Sequence, residues 1–325
     1  ACTLAAGVTS VRDAGGLDAA TLALVPEAAR PRAQLSVSLI DRAAADDAGG
    51  VAAAADAALA SGARWVKLVA TAGVAAPAGT DLEPVFSRAE IEDAVDRAAR
   101  VGAGVMVHAW GGRAIDDAIE AGAMSIEHGM YLTEEQAARA AEREMTLVPT
   151  LRIYHLVQRM IAEGALPASF APRVDEAVAQ HSTAVRRARD AGLAIALGTD
   201  YGTTAQHGTN RREFDALVAA GLTPQEALIA STRSGAALLT RVAPDPSAAP
   251  DGRIADGSVA DGVILGADPR ASGALSDPGA IVAVIKGGTI VHGALDNRPA
   301  PAPRASTSQP VFLTTPLTNT REDHP

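Results

Sequence analysis

The chain has 325 residues, of which 48% are hydrophobic and only 3% aromatic, so it can bury a large core that is mainly aliphatic. A net charge of −10 argues against nucleic acid or an anionic membrane surface as a partner, and no apolar run approaches the ~20 residues of a membrane span. The single cysteine, Cys2, excludes an internal disulfide.

Short apolar runs alternate with helical stretches along most of the chain, which predicts an α/β fold with a parallel sheet. After a helix over 2–6, strands are predicted at 8–12, 35–40, 65–69, 104–108, 124–127, 146–149 and 193–198. Helices are predicted between them, at 50–60, 88–101, 112–121, 133–143 and 171–191, and after them, at 210–220, 223–230 and 234–239.

The pattern changes in the last third of the chain. Residues 251–266 and 281–293 are typical of β-hairpins, and the segment from 296 is rich in Pro, Ser and Thr. We therefore predict a TIM-type (β/α)8 barrel over 1–245, part of a small β-sandwich domain over 246–295 and a disordered tail over 296–325. Seven strands are one fewer than a closed barrel requires, which predicts that its first strand is missing.

Four polar side chains lie in or directly after these predicted strands, namely Lys67, His108, His128 and Asp200. The carboxyl ends of the strands in a parallel barrel meet at one edge, where such folds carry their chemistry, so we expect the four groups to converge. Imidazole and carboxylate are common ligands of divalent metal ions. A histidine that only packs in the core is the alternative for either imidazole taken alone.

Lys67 stands in the middle of the apolar run Trp-Val-Lys-Leu-Val. An unpaired buried ammonium is costly, so this lysine is predicted to be deprotonated, paired or chemically modified. The alternative is a side chain that extends along the strand to water. A neutral amine can add carbon dioxide to form a carbamate, which can bridge two metal ions ~3.5–4 Å apart.

Several motifs follow one another in a fixed order: GVTSVRDAGG at 7–16, VHAWGGRAI at 107–115, AIEAGAMSIEHG at 118–129, VPTL at 148–151, GTD at 198–200, ADGVILG at 260–266 and VIKGG at 284–288. Together they resemble the metal-dependent amidohydrolase superfamily, and most of all its imidazolonepropionase-like and Xaa-Pro dipeptidase (prolidase-like) branch. The resemblance covers residues 1–293.

This resemblance implies a role for each of the four groups. Lys67 corresponds to the carbamylated lysine that bridges two metals, His108 and His128 to ligands of the second metal, and Asp200 to a ligand of the first metal that also shuttles the proton. In the superfamily a hydroxide between the metals attacks the scissile carbonyl. The expected activity is hydrolysis of amide bonds in small molecules such as dipeptides, with zinc expected and manganese or iron as alternatives.

Two further residues are predicted to lie in loops that form the substrate pocket. Tyr154 is positioned to donate a hydrogen bond to a developing oxyanion, with a packed tyrosine as the alternative, and His207 belongs to a His-Gly pair that the superfamily also has after its last strand. Arg152 is expected to be solvated. Residues expected to be structural, packing or surface groups are Arg12, Asp13, His155, His181, His292 and His324.

One feature of the superfamily is missing from this chain. In the superfamily the first strand carries a His-x-His pair that holds the first metal. None of the seven histidines here stand two apart, and the chain begins at Ala1 without Met. We expect a truncated start, with natural loss of the first metal position as the alternative, and weak or absent activity of the chain as it stands.

Other functions therefore stay open. A lactonase or phosphotriesterase-like hydrolase is the nearest alternative, since the same hydroxide can attack an ester or a phosphorus centre. A non-catalytic barrel that binds ligand without turnover is the other. We expect a small-molecule substrate and a cytoplasmic location, with export and a homo-oligomer left open.

Overall fold

Strands and helices alternate through most of the chain in the computed structural model, which describes residues 1–76, 79–271, 273–275 and 277–294. The predicted tail over 296–325 and His324 lie outside the described residues. The strands are β1 (Ser10–Arg12), β2 (Arg32–Gln34), β3 (Leu39–Ile40), β4 (Trp65–Val69), β5 (Gly104–Ala109), β6 (Ser125–His128), β7 (Thr146–Val148), β8 (Ala194–Ile195), β9 (Gly262–Leu265), β10 (Ile281–Lys286) and β11 (Thr289–Gly293).

Twelve α-helices are assigned within those ranges. They are α1 (Cys2–Ala5), α2 (Ala19–Ala23), α3 (Arg42–Ala48), α4 (Val51–Ala60), α5 (Arg88–Arg100), α6 (Arg113–Ala121), α7 (Glu134–Glu142), α8 (Leu151–Ala162), α9 (Ala171–Asp190), α10 (Arg212–Ala219), α11 (Pro224–Ile229) and α12 (Gly235–Thr240). Among the described residues no helix combines the length and the apolar character that crossing a membrane requires.

The sheets confirm the predicted α/β class. Strands β3 to β8 form a six-stranded parallel sheet in chain order, β1 and β2 form a separate parallel pair, and β9 to β11 form an antiparallel sheet. Each strand from β4 to β7 is followed by at least one helix, as right-handed parallel connections require. Residues 1–294 form one compact unit, and the domain boundary at 245 stays a prediction.

The predicted strand over 35–40 is wrong in its extent, because a sharp bend divides it. Val37 has φ 63°, and the Ser38 N–H donates to the Ser36 carbonyl at 2.6 Å, which turns the backbone within three residues. The bend moves the chain from its pairing with β1 to its pairing with β4. Leu39, just after the bend, is apolar but 47% exposed. The pattern of polar and apolar residues in the sequence therefore gave no sign of the break.

Two other predictions differ from the structure. Helix α8 lies where the sequence predicts a loop, because Thr150, which precedes it, makes no side-chain cap of the kind that marks a helix start. The predicted hairpin over 251–266 contains one strand, β9, whose partner is β10. A hairpin needs two runs of strand-forming residues, and the segment before β9 is a turn-rich stretch around Asp251.

The two faces of the six-stranded sheet pack differently. One face contributes Val66, Leu68, Val107 and Ile126 to the main core, where alanine-rich helices such as α4 lie close to the sheet. The opposite face, called the inner face here, is formed by the residues that alternate with these along the strands. It contributes to a second, smaller cluster. That cluster comprises Trp65, Met106, Val148, Ala196, Leu238 and Val242.

An ion pair is buried on the inner face beside Trp65. One Arg12 nitrogen donates to Glu127 at 2.8 Å, another donates to the Ser125 hydroxyl at 2.8 Å, and the guanidinium lies 4.7 Å from the Trp65 ring centroid. Asp13 accepts the Gly15 N–H at 3.1 Å in the next turn. Arg12 therefore ties β1 to β6 across the inner face.

We expect Arg12→Met to lower the free energy of unfolding by about 3–5 kcal/mol, because the buried Glu127 carboxylate loses its cationic partner. Urea unfolding monitored by circular dichroism measures the change. Arg143→Met is the matched control, since Arg143 meets Glu120 only at 3.5 Å on the surface, and it should cause little change. Equal effects of the two substitutions would contradict the assignment.

Candidate active site

The strand register places three polar side chains on the inner face. Lys67 of β4 pairs with Met106 of β5, and His108, two residues further along β5, pairs with Glu127 of β6. Side chains two residues apart on a strand point the same way, and directly paired residues share a face. Lys67, His108 and Glu127 therefore lie next to one another near the carboxyl ends of their strands.

His128 joins this group through an unusual backbone conformation. As the residue after Glu127 it would point to the opposite face of an extended strand, but its φ of 73° turns the chain at the end of β6. Its ring centroid lies 4.5 Å from that of His108, with the planes at 70°. The structure thus brings the two predicted imidazoles together.

Both imidazoles are held neutral. Burial, and then the charge of Lys67, lowers the pKa of His108 to about 3. Burial also lowers the pKa of His128 well below its ordinary value, with smaller contributions from the charges of His108, Lys67 and His181. The Nε2 atom of His108 is buried and has no hydrogen-bond partner. A buried polar atom of this kind calls for a ligand, and a neutral imidazole nitrogen is the form that binds metal.

Two neighbours fix the orientation of His128. Its Nδ1 lies 2.7 Å from the Thr150 hydroxyl, and its backbone carbonyl lies 3.1 Å from Nε2 of His181. His181, predicted to be a surface or packing residue, is 2% exposed. It extends from helix α9 and packs against the end of β6. Contacts of this type hold metal-binding histidines in one orientation.

Lys67 is enclosed in the sheet, with 4% of its surface exposed, so the alternative in which it reaches water does not hold. Burial lowers the pKa of its amine, and the charge of Arg12 acts in the same direction, while the charges of Glu127 and Asp200 oppose the shift. Lys67 is therefore easier to deprotonate than a lysine in water.

Asp200 follows β8 and has φ 51°. Asp200 is exposed at its surface, but the surrounding atoms partly desolvate its carboxyl and raise its pKa, while the charge of Lys67 opposes that shift. Gly198 lets the chain reach this position, because a Cβ there would lie 2.3 Å from Val148 Cγ1 on β7. In the described part of the chain, no group of three or more His, Cys, Asp or Glu side chains is arranged to hold a metal ion, so Asp200 and the two imidazoles do not form one.

Tyr154 lies in helix α8, not in the predicted loop, and it is buried. Its hydroxyl accepts a hydrogen bond from Trp110 Nε1 at 3.1 Å, and its ring centroid lies 5.5 Å from that of His128. Burial and the charge of Asp200 raise the pKa of Tyr154 well above its ordinary value. The phenol therefore stays protonated and keeps a hydrogen to donate.

His207 is exposed and makes its contacts away from the two imidazoles. Its Nδ1 lies 3.2 Å from the Thr3 hydroxyl, and its ring lies 6.4 Å from the Tyr201 ring. A substrate contact by His207 stays a prediction. His155 and His292 are also exposed.

Several residues around the site were not singled out from the sequence. The Arg173 guanidinium donates to the carbonyls of Gly73 and Ala72 at 3.1 and 3.0 Å and to that of Thr80, and it stacks 4.9 Å from the Trp110 ring. These contacts fix the loop after β4. The residues that the sequence did not predict are Trp110, Glu127, Thr150, Arg173 and Glu213. Of these, only Glu127 had a signal in the sequence, because Ser125 and Glu127 place polar side chains on one face of the strand before His128.

The donor set fits a divalent metal of intermediate softness. Two neutral imidazoles 4.5 Å apart, one with an unpartnered Nε2, stand beside a buried lysine of lowered pKa. Nitrogen ligands of this kind are typical of divalent transition metals. The three groups meet where parallel strands end.

Comparison with known proteins agrees with this geometry. The Amidohydrolase family matches residues 1–291, so the chain belongs to the amidohydrolase family. Ochratoxinase of Aspergillus niger is 31% identical over 234 residues, which cover 71% of this chain and 47% of that protein. An uncharacterized protein of Mycobacterium tuberculosis is 35% identical over 188 residues, which cover 58% of this chain and 50% of that protein. The chain thus spans about half the length of these curated relatives.

Solved structures give the same placement. A prolidase complexed with N-methylphosphonate-L-proline has a TM-score of 0.78 at 28% identity, over 89% of this chain and 76% of that one. A Xaa-Pro dipeptidase with bound methionine has a TM-score of 0.77 at 26% identity, over 89% and 76%. The A. niger ochratoxinase structure has a TM-score of 0.77 at 25% identity, over 90% and 74%.

We expect acid to destabilise the chain through its buried histidines. The pKa of His181 is lowered from 6.5 to about 4, so folding favours the neutral ring; the stabilisation is complete above pH 6.5 and is lost as pH falls towards 4. His181→Gln keeps an N–H donor for the His128 carbonyl but does not titrate. The wild-type free energy of unfolding should therefore fall more than that of the variant over this range, by on the order of 3 kcal/mol.

Chemical denaturation at a series of pH values measures this difference. His292→Gln is the control, because His292 is exposed, and this variant should follow the wild-type pH dependence. Parallel curves for wild type and His181→Gln would mean that His181 is not held neutral by the fold.

Proposed function

We propose that the protein is a metal-dependent hydrolase of amide bonds in small molecules. The observation that carries the proposal is the meeting of buried Lys67 with two neutral imidazoles, His108 and His128, at the carboxyl edge of a parallel sheet. Membership of the amidohydrolase family and likeness to a prolidase and a Xaa-Pro dipeptidase support cleavage of C–N bonds.

We also propose that the six-stranded sheet belongs to a TIM-type (β/α)8 barrel, with residues 246–295 in a small β-sandwich domain. The parallel sheet keeps β3 to β8 in chain order, which is the order of strands in such barrels. The antiparallel sheet of β9, β10 and β11 supports the second domain.

Lys67, His108 and His128 are the residues that would hold one metal ion, with zinc favoured by the imidazole ligands, and Asp200 would be a ligand of a separate first metal. When bound, a divalent ion there would activate water and polarise the scissile carbonyl. The unpartnered Nε2 of His108 supports its role as a ligand. The Thr150 and His181 contacts hold His128 ready for the same role.

Lys67 would supply an anionic ligand as a carbamate. Its neutral Nζ attacks the carbon of carbon dioxide and forms a C–N bond, the electron pair of one C=O bond moves to oxygen, and one proton passes from the nitrogen to water. The product carries a single negative charge on two oxygens. Burial favours this reaction because it lowers the pKa of the Lys67 amine.

Asp200 and Tyr154 would move and stabilise charge during hydrolysis. Asp200, with its pKa raised by desolvation, would take the proton of the attacking water and return it to the leaving amine. The protonated Tyr154 hydroxyl would donate a hydrogen bond to the oxyanion of the tetrahedral intermediate.

A cavity beside Trp110 would receive the rest of the substrate. It has a volume of about 280 Å³. Trp110, which lines the cavity, also donates to Tyr154, so it links the cavity to the proposed oxyanion donor. Other residues around the cavity are Leu82, Tyr131, Pro172, Arg173 and Glu176.

The first test loads the 325-residue chain with zinc and ¹³C-labelled bicarbonate, and measures metal content by elemental analysis and the carbamate by ¹³C NMR. The chain has two lysines, Lys67 and Lys286. We expect a carbamate signal and bound zinc that both disappear in Lys67→Ala. Lys286→Ala is the matched control and should keep both, since Lys286 donates to the carbonyls of Glu27 and Arg30. Zinc without a Lys67 carbamate would overturn the assigned ligand.

A second test compares hydrolysis by wild type and Asp200→Asn with Xaa-Pro dipeptides and N-acyl amino acids as substrates. We expect the variant to lose about 10²–10⁴-fold in kcat, because Asn cannot accept the proton. Asp245→Asn, on the surface, should leave kcat unchanged. Faster turnover of lactones or phosphotriesters would favour the alternative hydrolase, and no turnover by the metal-loaded chain would favour a non-catalytic barrel.

A further inference from the structure

Glu213 of α10 is a fully buried carboxylate that the hydrolysis described above does not use. Its side chain is 0% exposed. One oxygen accepts the Leu151 N–H at 2.6 Å and the other accepts the Arg152 N–H at 2.9 Å. These are the first two N–H groups of α8, which have no acceptor within their own helix.

A helix normally satisfies such groups with the side chain of its own N-cap residue. The N-cap of α8 is Thr150, whose side chain makes no capping bond because its hydroxyl lies 2.7 Å from His128 Nδ1. Thr150 also has φ 52°, which differs from the extended conformation that N-cap residues usually adopt. Glu213 therefore stands where the missing cap would be.

We infer that Glu213 is a positioning residue for the proposed hydrolysis: it caps α8 in place of Thr150 and so leaves the Thr150 hydroxyl free to orient His128. The same two bonds fix the first turn of α8, which carries Tyr154 against His128. This inference rests on the proposed function for its effect on catalysis, while the capping itself does not depend on that function.

A carboxylate is required because both oxygens accept. In the variant Glu213→Gln, one oxygen is replaced by an NH₂ group that faces a backbone N–H, so one of the two bonds is lost. Burial raises the pKa of Glu213 to about 7, and the two backbone N–H groups oppose that shift. At pH 8 the group is ionised and both bonds are at full strength.

The test measures kcat and KM at pH 8 for wild type, Glu213→Gln, Thr150→Val and the double variant. We expect each single variant to lower kcat about tenfold or more and to leave KM within about threefold of wild type. The reason is that the groups contacting the reacting atoms are displaced, while the cavity that binds the substrate is unchanged. Since Thr150→Val removes a hydroxyl that Glu213→Gln already displaces, the double variant should be no more impaired than Glu213→Gln alone. Multiplicative losses would overturn the inference.

Glu226→Gln is the matched control. Glu226 also accepts a backbone N–H at a helix start, that of Thr223 before α11, in a capping box. Its replacement makes the same chemical change at a helix that carries none of the site residues. Glu226→Gln should therefore leave kcat within about twofold.

Hydrogen exchange separates the capping role from the proposed activity. In the metal-free chain, Glu213→Gln should speed exchange of the Leu151 and Arg152 amides at least tenfold, and Glu226→Gln should leave them unchanged. If no substrate is turned over by wild type, the proposed function fails and this exchange alone decides the capping. Unchanged exchange in Glu213→Gln would overturn the inference.

Discussion

Parallel pairing of β4, β5 and β6 is the constraint on which the candidate site depends. Because the register joins Lys67 to Met106 and His108 to Glu127, every second residue of three strands meets on the inner face. The site is therefore built on the sheet itself, where hydrogen bonds on both sides hold each strand. Such a foundation keeps functional groups in place more rigidly than loops do.

Burial of so many polar groups on one face has an energetic cost that the surroundings must offset. The fold meets part of this cost by pairing Glu127 with Arg12 and part by keeping the imidazoles neutral. Two opposing effects act on the pKa of Lys67. Desolvation favours the neutral amine, and the charges of Glu127 and Asp200 favour the charged amine. This balance makes its protonation state sensitive to whatever binds nearby.

The sequence predicted the sheet and the groups at its edge, because buried strands and capped helices leave strong local patterns. Lys67, His108 and His128 were found since each stands in or at the end of an apolar run. Thr150 and Glu213 could not be found in this way, because their roles depend on contacts with residues 22 positions away for Thr150 and 61 and 62 positions away for Glu213. The bend at Val37 also left no signal, since a β-branched residue rarely adopts positive φ.

Helix α9 has a consequence for how the site responds to its surroundings. Near its start, Arg173 holds the loop after β4, and two turns later His181 contacts the carbonyl of His128. This one helix of 20 residues thus contacts both the loop after β4 and the end of β6. A substitution that shifts α9 would therefore move both segments at the same time.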